Sequence, residues 1–183
     1  DKTVLAHCNF IDPIDMKTIR DAQTAIAHCP LSNFQFSNAV LPVRQLLDNG
    51  MKVGLGTDVS GGAHVNIYDS CCQAIVASRA LQEGVNATLQ PEERGLAGAS
   101  INFKEAFWMA TAGGGESLGF RVGRFSEGYC FDAMVIDTAA IDSNLIIWRD
   151  MDSLEDVLQK IVYNARRPNI RTVWVQGDIV AGD

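Results

Sequence analysis

Three short β-type runs, Thr3–His7 (TVLAH), Thr24–His28 (TAIAH) and Met51–Leu55 (MKVGL), lie about one helix length apart, and that spacing leaves few folds open. Asp12-Pro13 supplies an N-cap and a helix-opening proline for a segment running through Ala22. The second run is stopped by Pro30, and a polar loop (LSNFQFSN) leads to a helix over Leu41–Asn49 that Gly50 closes. Strands joined by single helices are βαβ units, and such crossovers build a parallel sheet. The expected class is therefore α/β.

Beyond Asp58 the pattern changes to a helix in which Ile67, Cys71, Ala74, Ile75, Ser78 and Leu81 recur at helical spacing, with Gly84 at its end. Residues Val85–Ala99 read as a loop with a charged centre. Asn102 and Glu105 form a capping-box signature for a helix carrying Phe103, Ala106, Phe107 and Ala110. Glycine-rich punctuation (AGGGESLGF) then hands over to a β-type region that includes Ala133–Ile136 and Thr172–Val175. Between those strands Ser153 caps a helix whose Leu154, Val157, Leu158, Ile161 and Val162 share one face.

Composition narrows the function classes. A formal net charge of −7, with no Lys/Arg cluster, argues against a nucleic-acid partner. The apolar runs are too short to span a bilayer and no leader-like segment opens the chain, so no membrane partner is expected. Five cysteines without C-x-x-C spacing suit a reducing, cytoplasmic compartment rather than a disulfide framework. Strand alternation turns Cys8 and Cys29 away from whatever their neighbouring histidines face, as small buried residues. The segment Gly54-Leu-Gly56-Thr-Asp-Val59 lacks the last glycine of a dinucleotide fingerprint, and neither a P-loop nor G-x-S-x-G is present.

The polar residues at the strand ends carry the chemical information. Successive strands lead to His7, His28 and Asp58, and sites on βα-barrels are built at the C-terminal strand edge. Such residues are zinc ligands by type, and they also transfer protons. A lone histidine is more commonly a packing residue. Position weighs for His7 and Asp58, less for His28, where Cys-Pro turns the chain. His64, in the loop after Asp58, reads as solvated.

Ile26-Ala-His-Cys-Pro-Leu-Ser-Asn33, followed by Val53-Gly-Leu-Gly-Thr-Asp-Val-Ser-Gly-Gly62, resembles the amidohydrolase superfamily and, within it, the guanine deaminase branch. Ala110–Gly119, Val122–Asp137 and Val173–Val180 extend the resemblance over nearly the whole chain. It implies the C-terminal portion of a metal-dependent (β/α)8 barrel, its last three strands, over residues 1–117, and part of an accessory β-sandwich over 118–183. It further implies a zinc-dependent enzyme that deaminates guanine, a small purine, to xanthine and ammonia. Asp58 matches the aspartate that binds the metal and shuttles the proton of the attacking water. His7 matches the histidine that contacts that water and the substrate, and His28 a residue supporting the site. The family's H-x-H pair, fifth-strand histidine and H-x-x-E glutamate have no counterpart in this sequence. A complete barrel takes about 250 residues, so the chain reads as the part beginning at the sixth strand, inactive alone. An exposed sheet edge then predicts a homo-oligomer or dependence on the N-terminal half. Deamination of another amino-heterocycle or an adenosine derivative, and a non-catalytic module, are the alternatives.

Overall fold

A computed structural model describes residues 3–182, and the chain divides into two compact units, Asp1–Phe120 and Arg121–Asp183. The first is built on three parallel strands, β1 (Val4–Ala6), β2 (Ala25–His28) and β3 (Lys52–Leu55), in that order across the sheet. Val4 pairs with Ala25 and Ile26 with Val53, so the strands run in step. Helix α1 (Pro13–Asp21) makes the first crossover. Asp12 accepts from the Ile14 and Asp15 amides while Asp15 reaches back to the Asp12 amide, a box that fixes where the helix starts. The second crossover contains two short helices, α2 (Pro30–Gln35) and α3 (Val43–Asp48).

Here the expected polar loop is corrected. Pro30 occupies the first turn of α2, where its missing N–H costs nothing, and it opens a helix rather than merely stopping a strand. After β3 come α4 (Ile67–Glu83), a single turn α5 (Pro91–Arg94), α6 (Phe103–Ala110) and α7 (Ala112–Leu118). Asn66 caps α4, and Asn102 with Glu105 boxes the start of α6. Ile26, Val53, Leu41, Leu46, Ile75, Ala106 and Met109 are all essentially buried and form the core.

The glycine-rich stretch 112–118 is helix α7, against the expectation of punctuation. Packing overrides the cost of about 1 kcal/mol that each helical glycine carries. A Cβ on Gly54 of β3 would lie 3.1 Å from the Gly114 Cα, and one on Gly113 would lie 2.9 Å from the Val53 carbonyl oxygen. Only backbones without side chains let this helix rest directly on the strand.

The second unit is an antiparallel sheet of β4 (Ala133–Ile136), β5 (Ile170–Val175) and β6 (Asp178–Ala181), with β5 in the middle. Gln176 and Gly177, both with positive φ, form the two-residue turn joining β5 to β6. Helix α8 (Leu154–Asn164) is capped by Ser153, as the sequence predicts, and Asp156 completes a capping box with it. Its inward face is narrower than expected: Val162 is fully buried, whereas Leu154 in the first turn is 90% exposed. Buried Asn169 ties the unit together by donating to the Asp137 carbonyl and to the Ser143 hydroxyl.

Candidate active site

The ends of β1 and β3 bring His7 and Asp58 together. The His7 amide still donates to the Ala27 carbonyl, extending the β1–β2 ladder by one bond. The backbone then turns left-handed at His7 (φ 66°) and Cys8 (φ 56°). On β3 the ladder continues through the Gly56 amide to the His28 carbonyl, and Asp58 is again left-handed (φ 51°). Non-glycine residues in this region are uncommon, and such strain gathers at functional sites. The result places His7 Nε2 3.8 Å from Asp58 Oδ2, with each side chain 37% exposed.

Two asparagines lie behind the histidine. His7 Nδ1 is 2.9 Å from Asn33 Oδ1, and Asn33 Nδ2 donates to Asn9 Oδ1 at 3.0 Å. Both asparagines are buried. In front of Asp58 the chain doubles back, the Gly62 amide donating to the Asp58 carbonyl. A Cβ on Gly62 would lie 1.9 Å from the Thr57 carbonyl oxygen, and one on Gly61 2.7 Å from Asp58 Oδ2. The Gly-Gly pair is therefore what allows the loop to hug the carboxylate.

The remaining strand-end residues behave differently. His28 is 1% exposed, and neither ring nitrogen has a hydrogen-bond partner among the described residues. Burial, helped by the charge of His7, pushes its pKa down to about 4, so the ring is neutral. His64 is exposed in the loop after Asp58, as expected. The cysteine expectation needs correction. Cys8 and Cys29 both lie beyond their strands, so alternation does not govern them, and Cys8 is only half-buried. Cys29 is buried but sits beside the site: its thiol contacts the His7 backbone, and a Cβ on Gly56 would meet its sulfur at 2.9 Å. Burial, with the Asp58 charge second, pushes that thiol up to about 11, which leaves it inert as a nucleophile.

Among the described residues no three His, Cys, Asp or Glu side chains are grouped to hold a metal ion. Asp58 fits a zinc ion as one oxygen ligand of a set, its carboxylate exposed and with His7 alongside. Catalytic zinc sites take about three protein ligands, more than the described residues group together here. Asn33 and Asn9 were legible only in part: Asn33 ends the HCPLSN motif, but nothing in the spacing marks Asn9 as its partner.

The amidohydrolase family profile matches residues 1–180. The chain belongs to the amidohydrolase family. It is 34% identical over 182 residues to the guanine deaminase of Dictyostelium discoideum, covering 97% of this chain and 38% of that protein. Human guanine deaminase matches with the same identity and coverage. A 5-methylthioadenosine/S-adenosylhomocysteine deaminase of Pyrococcus horikoshii is 31% identical over 100% of this chain and 39% of its own length. Among solved structures, the guanine deaminase from C. acetobutylicum with guanine in its active site superposes with a TM-score of 0.80 at 29% identity, over 98% of this chain and 39% of that one. The chain thus spans less than two fifths of the length of these guanine deaminases, and its mixed α/β architecture is a portion of their fold.

Proposed function

We propose that this chain supplies the aspartate and histidine of a zinc-dependent guanine deaminase site. In this reading residues 1–117 are the last three βα units of the barrel and 118–183 belong to the accessory β-sandwich. The observation that carries the reading is the 3.8 Å approach of His7 Nε2 to Asp58 Oδ2 at the C-terminal strand edge. Asp58 would hold the zinc together with ligands from the rest of the enzyme. Bound zinc supplies a water molecule whose pKa is lowered toward neutrality. Asp58 Oδ2 takes a proton from the attacking water and delivers it to the departing amine. His7 Nε2 accepts from the water and orients it for attack. The C2–O bond forms, the C2–N bond breaks, and xanthine and ammonia result.

The match to the Pyrococcus enzyme supports a second reading, deamination of an adenosine derivative with the same residues. Guanine is favoured because identity is higher to the guanine deaminases, 34% against 31%. The apolar side chains on β1, Val4 at 41% and Leu5 at 38% exposure, support a requirement for a covering partner, either the preceding portion of such an enzyme or a second copy. Five free cysteines fit a reducing, cytoplasmic setting. No helix among the described residues is long and apolar enough to cross a membrane.

The test joins this chain to the N-terminal portion of the Dictyostelium enzyme, in place of that enzyme's own C-terminal part. The zinc-loaded fusion is expected to convert guanine to xanthine, followed by ultraviolet absorbance. A folded, zinc-loaded fusion that turns over 5-methylthioadenosine and not guanine selects the second reading. One that turns over neither rejects both.

A further inference from the structure

The side chains behind His7 form a hydrogen-bonded line that the proposed reaction leaves unused. Asn33, 3% exposed on α2, donates from Nδ2 to Asn9 Oδ1 at 3.0 Å and presents Oδ1 to His7 Nδ1 at 2.9 Å. An amide oxygen only accepts and an amide NH2 only donates. With its NH2 committed to Asn9, Asn33 turns its carbonyl to the histidine, and the ring nitrogen opposite must carry the proton. In the neutral ring the other nitrogen, Nε2, then keeps its lone pair, and Nε2 is the atom that faces Asp58 Oδ2. Two acceptors 3.8 Å apart cannot bond to one another. A donor of protons, such as one water molecule, can serve both.

We propose that Asn33, oriented by Asn9, is a positioning residue that locks His7 in its Nδ1–H tautomer and so aims the Nε2 lone pair at the Asp58 carboxylate. The backbone is arranged to hold it there. The Asn33 amide donates to the Cys29 carbonyl at 3.1 Å and its own carbonyl accepts from Asn38 at 2.7 Å. His7 is fixed from the other side by its ladder bond to Ala27 and its left-handed turn. The use of this lone pair in catalysis rests on the deaminase reading above; the tautomer does not.

The chain contains three histidines, so nitrogen-15 correlation through the two-bond ring couplings resolves each, and a His7→Gln variant identifies the His7 signals. Spectra are taken near pH 9, well above the ordinary imidazole pKa of about 6.5. His7 is expected to show a pyrrole-type Nδ1 and a pyridine-type Nε2. Asn33→Asp retains an acceptor and keeps that pattern. Asn33→Leu removes it and shifts His7 toward the Nε2–H form that a free histidine side chain prefers. A wild-type His7 with its proton on Nε2 means that both amides are turned round, and overturns the proposal even if the leucine variant does not fold. So does an Asn33→Leu variant whose His7 tautomer is unchanged. No turnover is needed for this measurement, so it stands apart from the fate of the deaminase reading.

Discussion

Adding one methyl group at Gly61 isolates the geometry of Asp58 from the stability of the fold. The new Cβ would lie 2.7 Å from Asp58 Oδ2, 3.1 Å from its Cγ and 3.1 Å from its carbonyl oxygen. Contacts that short are not sustained, and the softest partner is the carboxylate, which can rotate about its own side chain. Turning it off its rotamer costs about 0.5–1.5 kcal/mol. For a domain of this size that lowers Tm by about 2–4 °C per kcal/mol, hence by roughly 6 °C at most. The site loses far more, because displacing a reacting group by about 1 Å costs about 100-fold in rate. In the fusion enzyme Gly61→Ala is therefore expected to bind zinc and unfold near the wild-type temperature, while guanine turnover drops about two orders of magnitude. Wild-type kcat at an unchanged Tm would refute the contact between this loop and the Asp58 carboxylate, or the role proposed for it.

Asp58→Asn in the same fusion is expected to abolish turnover with the fold intact by circular dichroism, since the swap keeps shape and removes the proton acceptor; near-native turnover contradicts the role. His7→Ala should lower kcat by about 10²–10⁴-fold in the same absorbance assay. The 183-residue chain by itself is expected to lose zinc on dialysis against a weak chelator, because its described residues group no three metal-binding side chains, and stoichiometric retention by atomic absorption would contradict that. His28 makes stability depend on pH: folded, its pKa is about 4 through burial, whereas unfolded it titrates near 6.5. The unfolded chain takes up the proton first, so stability declines as pH falls from about 6.5 to about 4, by about 3 kcal/mol for this group, and then levels off. Urea unfolding should show a shallower pH slope in His28→Gln than in wild type, and equal slopes contradict the assignment.

The parallel sheet was legible because its signals are local and redundant: three β-type runs spaced by helix-length segments and an Asp-Pro helix start all point the same way. Helix α7 was not, since its glycines contradict helix propensity and make sense only against Gly54 and Val53, about sixty residues earlier. At the site, His7 and Asp58 could be named from strand ends, and the structure sets them side by side. Cys29 was misplaced for a definite reason: alternation holds within a strand, and β2 ends one residue before it. The Asn9–Asn33 contact escaped because hydrogen bonds between distant amides leave no periodic trace.

The left-handed turns at His7 and Asp58 also act as a filter on mutation that operates before chemistry does. Asn, Asp and His are several-fold enriched among non-glycine residues at positive φ, and β-branched residues are outliers there. At both positions the backbone therefore already favours the narrow group of side chains from which the proposed reaction draws its own. Drift at position 58 has one low-strain exit that nearly conserves shape, asparagine, which satisfies the backbone and cannot accept the proton. If the proposed role of Asp58 holds, a descendant that had lost activity yet kept this fold is expected to carry that replacement, a folded scaffold whose strand end still turns to the left with nothing there to move a proton.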